Sequence, residues 1–221
     1  MRMWNYDRNR IDKTQHRGET LMILTFLSLK GGVGKTTSGI HFSAVLQEQY
    51  GETLFIDGDP NRSGDVWARK QKLPFLVVNE LTAPRHVRDA KYKHIVIDTK
   101  ARPSSDDIKS LAEGCDLLII PTEPDVLTLD ALMKTIDIIQ KHAANKYKVL
   151  LTKVPPKPSR DGEDARDFLK QAHIPVFQAE ISRLAVFKKS AELGVAVKEI
   201  PNPLAHRAWE SYVAAVKEAM R

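Results

Sequence analysis

Apolar residues in this chain fall into short, nearly continuous blocks separated by longer amphipathic stretches. The blocks are Met22–Leu29, Thr53–Asp57, Phe75–Val78, Ile95–Asp98, Asp116–Ile120 and Tyr147–Thr152. Runs such as Ile-Val-Ile and Leu-Leu-Ile-Ile, with no polar residue at every second place, are what strands covered on both faces look like. The stretches between them, Thr36–Gln49, Gly64–Lys70, Ser104–Ala112 and Val126–His142, read as helices. Strand and helix therefore alternate, which predicts an α/β fold: a mostly parallel β-sheet with helices on both faces, a three-layer sandwich. Helices dominate from Asp161 onward, with a short strand expected around Val176 to Ile181. Val-Pro-Pro-Lys-Pro at 154–158 reads as a stiff loop.

The first block runs directly into Lys30-Gly31-Gly32-Val33-Gly34-Lys35-Thr36-Thr37. A strand that ends in a glycine-rich turn and opens a helix lets successive backbone N–H groups converge on phosphate oxygens, and the helix N-terminus adds a favourable dipole. By the logic of G-x-x-x-x-G-K-[ST], Lys35 reaches the β- and γ-phosphates and the Thr36 hydroxyl is a Mg²⁺ ligand. The informative departure is Lys30, six places before Thr36. K-G-G-x-G-K-T-T resembles the deviant Walker A motif of the ParA/MinD family, P-loop NTPases that dimerise around nucleotide. The resemblance implies an ATP-dependent homodimer in which Lys30 crosses into the partner's nucleotide. It also implies ATP and Mg²⁺ as cofactors, with Gly31, Gly32, Val33, Gly34, Lys35, Thr36 and Thr37 around the phosphates.

Later segments fit the same resemblance. Asp57-Gly58-Asp59-Pro60 resembles the D-x-D-P segment of switch I, which implies Asp57 in the Mg²⁺ shell through water and Asp59 orienting the attacking water. His94-Ile95-Val96-Ile97-Asp98-Thr99 resembles the Walker B strand and makes Asp98 a second metal-shell candidate. Lys100 and Arg102 follow where many relatives have prolines, placing two positive charges near switch II. Pro121-Thr122-Glu123-Pro124 resembles the segment that shapes the dimer face. Lys153, at a later strand end, and Pro201 with Asn202 are candidates for the base side of the nucleotide. By the same resemblance the catalytic set is Lys30, Lys35 and Asp59, acting in ATP hydrolysis.

Composition narrows the setting. The 221 residues are 42% hydrophobic and 28% charged, ordinary for a globular protein. Residues 1–21 are polar and lack the apolar core of a secretion signal; they read as a flexible extension, with 22–221 a single ATPase domain. Cys115 is the only cysteine, so one chain cannot build a disulfide or a multi-cysteine metal site, and a reducing cytoplasm is the expected location. No apolar stretch approaches the roughly 20 residues of a membrane span. Net charge is +6, but 22–140 carries 14 Lys and Arg against 16 Asp and Glu, whereas 141–221 carries 15 against 9. The basic excess lies in the C-terminal third, where Arg183, Lys188, Lys189, Lys217 and Arg221 are candidates for sequence-independent contacts to DNA phosphates.

The expectation is a small partition or positioning ATPase of the ParA type. It would coat nucleoid DNA as an ATP dimer, and a cargo-bound adaptor resembling ParB, ParG or McdB would release it. The cargo could be a plasmid, a chromosome or a protein body such as the carboxysome. A MinD-like membrane-surface protein is the rival; Trp209, Tyr212, Val213, Val216 and Met220 along one helical stripe would serve it, though such a stripe also suits core packing. A soluble metabolic enzyme on the same fold is a further alternative. A cluster-bearing electron-transfer member is disfavoured by the lone Cys115.

Overall fold

The computed structural model describes residues 21–87, 89, 91–143 and 146–221; the expected N-terminal extension lies, but for Leu21, outside the described residues. Six strands, β1 Met22–Phe26, β2 Thr53–Gly58, β3 Leu76–Asn79, β4 His94–Thr99, β5 Leu117–Thr122 and β6 Tyr147–Leu151, form one sheet in the order β3-β2-β4-β1-β5-β6. Every pairing is parallel. From β1 the chain builds outward to β2 and β3 on one side, then returns through β4 to β5 and β6 on the other. The loops after the strands therefore gather along one edge, beside the turn that follows β1.

The unbroken apolar blocks have a simple cause: successive side chains of a strand point to opposite faces, and both faces are buried. Ile23, Leu54, Ile56, Ile95, Ile97, Leu118, Ile120, Val149 and Leu151 face one core. Leu24, Phe26, Phe55, Val96, Ile119 and Leu150 face the other. The first core is closed by α3 Ala83–His86, α4 Ser105–Gly114, α5 Val126–Ala143 and α6 Asp161–Gln171. The second is closed by α1 Lys35–Gln49, α2 Ser63–Ala68, α7 Val186–Leu193 and α8 Pro203–Ala219.

Helix α1 is buried on all sides: every residue from Ser38 to Leu46 is shielded from solvent. Its small residues permit this. A Cβ added at Gly39 would stand 2.8 Å from the Phe55 ring, so α1 lies against the sheet at a distance only glycine allows. Helix α4 starts with a reciprocal capping box between Ser104 and Asp107, and Asn202 caps α8 ahead of Pro203.

Two features differ from the sequence pattern. The short helix α3 was not expected. The strand expected around Val176 to Ile181 is reduced to two isolated parallel bridges, Val149 with Val176 and Val154 with Ser182. Between them the Glu218 carboxylate of α8 accepts the Gln178 and Ala179 N–H groups at 2.9 and 2.7 Å, so those donors are taken out of the strand ladder.

Candidate functional site

The turn between β1 and α1 is held by its own glycines and by the end of β6. Gly32 and Gly34 have φ of 80° and 89°, a region where a Cβ brings strain. Behind them the Thr152 hydroxyl donates to the Val33 carbonyl at 2.8 Å, and the Lys153 ammonium donates to the Gly32 carbonyl at 2.6 Å. A peptide's C=O and N–H point in opposite directions. Drawing these two carbonyls toward β6 therefore turns the Val33 and Gly34 N–H groups away from it. Helix α1 has Gly34 as its N-cap and no side-chain cap, which leaves its first N–H groups available to an anion. Lys153 itself has φ of 50° and also pairs with Glu123 at 2.8 Å.

Carboxylates gather at the ends of the two strands beside β1. Asp57 and Asp98 are register partners across β2 and β4, and both are fully buried. Asp57 accepts the Asp59 N–H through Oδ1 and the Asp65 N–H through Oδ2, both at 3.0 Å. Burial nevertheless raises its pKa above the ordinary carboxylate value. The Thr36 hydroxyl donates to Asp98 Oδ2, while Oδ1 is buried with no hydrogen-bond partner among the described residues. Burial pushes the Asp98 carboxyl up to about 7; the Thr36 hydrogen bond and the Lys35 charge pull it back, and Asp57 and Asp59 add to the rise. An unsatisfied buried oxygen costs about 1–3 kcal/mol, which a ligand cation would relieve. Asp59, 7% exposed, accepts the Asn61 N–H through Oδ1 at 2.9 Å. Lys35 is buried as well, at 6% exposure.

Lys30 takes a different course. Its Nζ donates to the Thr128 hydroxyl and lies 3.5 Å from Asp125 Oδ1, at the start of α5. Next to it Val126 and Leu127 are 82% and 76% exposed. Of the two charges after β4, Lys100 pairs with Asp107 at 2.8 Å, and Arg102, with φ of 55°, donates its N–H to the Ser28 carbonyl.

A cavity of about 220 Å³ opens beside the turn, between the start of α1, the end of β6 and α7. Gly34, Thr37 and Lys153 contribute to its wall, as do Ser182, Phe187 and Tyr212, which the sequence pattern had not singled out for a ligand. Ser182 follows the reduced bridge region. Tyr212 belongs to the apolar stripe of α8, and its hydroxyl lies 3.2 Å from Ser38 Oγ. Pro201 and Asn202 are not in this wall; Asn202 spends its side chain on the Leu204 N–H as the α8 cap.

The five basic candidates do not form one cluster. Arg183 and Lys188 line the cavity, with Arg183 also 3.6 Å from Glu123. Lys189 is 3.6 Å from Glu192. Lys217 and Arg221 are exposed at the far end of α8, about 8–14 Å of helix rise beyond Tyr212. The stripe Trp209, Tyr212 and Val216 on the same helix is packed into the second core. Among the described residues, no helix is long and apolar enough to cross a membrane.

Comparison with known proteins agrees with this geometry. A model of the CobQ/CobB/MinD/ParA nucleotide binding domain matches residues 24–197. The maintenance of carboxysome distribution protein A of Gloeobacter kilaueensis is 28% identical over 205 residues, 90% of this chain and 94% of that protein. The ATP complex of McdA from Cyanothece superposes with a TM-score of 0.69 at 19% identity, covering 92% of this chain and 97% of that one. A plasmid partition protein from Borrelia burgdorferi B31, bound to AMPPNP, gives a TM-score of 0.69 at 18% identity over 90% and 99% of the two chains. These two structural likenesses establish the fold.

Proposed function

The chain belongs to the CobQ/CobB/MinD/ParA nucleotide-binding family, and we propose on that footing that residues 22–221 act as one ParA-type positioning ATPase. It would form a dimer around ATP, bind nucleoid DNA without sequence preference in the cytoplasm, and leave DNA when a cargo-bound adaptor stimulates hydrolysis. The likeness to a carboxysome distribution protein along nearly the whole chain supports a cargo of that kind, and partition of a plasmid or chromosome is the alternative.

The observation that carries this reading is the position of Lys30. The motif's extra lysine does not close on its own phosphate turn; it stands at the exposed start of α5, bound to Thr128 and Asp125. A cation placed there beside exposed Val126 and Leu127 is available to a second copy of the chain.

Within one subunit, the Val33 and Gly34 N–H groups and the open end of α1 receive the phosphates, with Lys35 adding charge. Among the described residues no group of three or more His, Cys, Asp or Glu side chains is arranged to hold a metal unaided. Thr36 and Asp98, whose Oδ1 lacks a partner, suit a Mg²⁺ ion that takes its other ligands from phosphate and water. Bound there, the ion supplies neutralisation of charge on the phosphoryl group being transferred. Asp57, already engaged by two N–H groups, reaches that shell through water. Asp59 holds the attacking water in line, and the partner's Lys30 completes the charge balance in the transition state. The cavity beside Tyr212 takes the nucleoside, and Lys189, Lys217 and Arg221 contact DNA.

The test is light scattering of wild type and Lys30→Ala with ATP and with ADP, in parallel with binding to random-sequence duplex DNA over a salt series. Wild type should dimerise and bind DNA with ATP alone, and Lys30→Ala should do neither while retaining nucleotide. A Lys30→Ala protein that dimerises normally removes the sandwich model; ATP-independent DNA binding removes the switch.

A further inference from the structure

An open groove of about 730 Å³ runs between the first half of α5 and the first half of α6, on the side of α5 away from the sheet. Leu129, Met133 and Ala165 line it, and Val126 and Phe168 flank it at 82% and 43% exposure. Its other contributors include Asp125, Asp130, Asp161 and Asp164, and no lysine or arginine lines it. In a chain of net charge +6, four carboxylates around one apolar trough are a local reversal of sign. Exposed apolar side chains grouped in a groove mark a docking surface more often than chance exposure.

We infer that this groove receives a cationic amphipathic helix of another protein, with apolar side chains one helical turn apart in the trough and lysines or arginines on the aspartate rim. Charge selects this occupant. Nucleic acid would be repelled, and a second copy of the same face would bring aspartate against aspartate. A helix whose apolar anchors recur at i, i+3 or i+4, and i+7 matches a trough running along two helices.

The groove also reaches the nucleotide site. Asp125 is both a groove residue and the carboxylate that holds Lys30. A cation of the incoming helix arriving at Asp125 competes with Lys30 Nζ for the same oxygens and frees the lysine to move. This consequence rests on the positioning-ATPase reading, in which the adaptor supplies the helix; the docking itself does not.

The experiment uses the full chain without nucleotide and a fluorescent synthetic helix of about 18 residues, built from leucine and lysine with leucines on one face. A leucine–glutamate counterpart is the control. Anisotropy should show binding of the lysine peptide alone, and amide NMR shifts should concentrate at Leu129, Met133, Ala165 and Phe168. The triple variant Asp130→Asn, Asp161→Asn, Asp164→Asn, with an unchanged circular dichroism spectrum, should bind about tenfold more weakly or worse. Equal binding of both peptides, binding of neither, unchanged affinity in the triple variant, or shifts located elsewhere would each overturn the proposal. So would two other occupants: tenfold tighter binding after removal of residues 1–20, which makes this chain's own N-terminal segment the occupant, or self-association without peptide that Phe168→Glu disperses. With ATP present, the peptide should accelerate hydrolysis by wild type more than by the triple variant. Docking intact without any hydrolysis upholds the groove and sinks the ATPase reading instead.

Discussion

The buried imidazole of α1 offers a quantitative test of how this fold responds to acid. His41 has no exposure, its Nδ1 lies 2.7 Å from the Thr37 carbonyl and its Nε2 accepts the Val197 N–H at 3.1 Å. Those partners require the neutral ring with its proton on Nδ1. The ring stacks on Tyr212 and meets Trp67 and Phe187 edge-on, so no charge faces it; Tyr212, whose own pKa is raised by burial, does not titrate near neutrality. Burial lowers the His41 pKa from 6.5 to about 4. The stability this reflects is fully present above pH 6.5, where the ring is neutral folded and unfolded, and is lost as pH falls toward 4 because only the unfolded chain takes up the proton. Integrated between pH 7 and pH 5, the loss is about 2 kcal/mol. Asp98 works in the opposite direction. Held at about 7, it keeps a proton that the unfolded chain releases, so the fold gains about 2 kcal/mol over the same fall in pH. The two nearly cancel in the nucleotide-free, metal-free protein, and the diagnostic quantity is a difference between variants. Urea unfolding of wild type and His41→Gln at pH 7 and pH 5 should show wild type losing about 2 kcal/mol relative to the variant. Asp98→Asn, treated identically, should give a difference of opposite sign. A wild-type to His41→Gln gap that stays constant within about 0.5 kcal/mol would show that the ring is not held neutral, and the reasoning fails.

Gly39→Ala places a Cβ 2.8 Å from the Phe55 ring. It should cost about 1–3 kcal/mol in urea unfolding despite alanine's better helix propensity. Thr152→Val removes the hydroxyl that fixes the Val33 carbonyl. Fluorescent nucleotide titration should then show affinity reduced about fivefold, with Thr152→Ser close to wild type and thermal melting little changed.

The sheet was legible because both of its faces are buried. Ile95-Val96-Ile97 shows no alternation since Ile95 and Ile97 enter one core and Val96 the other. The phosphate turn was legible because it is local: eight consecutive residues carry the geometry, and Thr36 and Asp98 meet where strand-end reasoning places them. The nucleoside side was not. Its cavity is assembled from Gly34, Lys153, Ser182 and Tyr212, whose sequence separations carry no periodic signal. Tyr212 looked like any apolar position of α8 because it is one; only its hydroxyl, directed at Ser38, sets it apart. The strand around Val176 to Ile181 failed for an equally distant reason, since the Glu218 carboxylate takes its N–H groups from 39 and 40 residues away.

The burial of α1 on every side has a mechanical consequence. A helix with a solvent face can roll or slide by repacking one contact surface, whereas one enclosed from Ser38 to Leu46 moves only if the sheet, α2, α7 and α8 give way together. The floor under the phosphates is therefore stationary on the time scale of ligand exchange. What differs between one bound state and the next has to be expressed by parts of the wall that have somewhere to go: the loop after β2, the Lys30 side chain, and the start of α5.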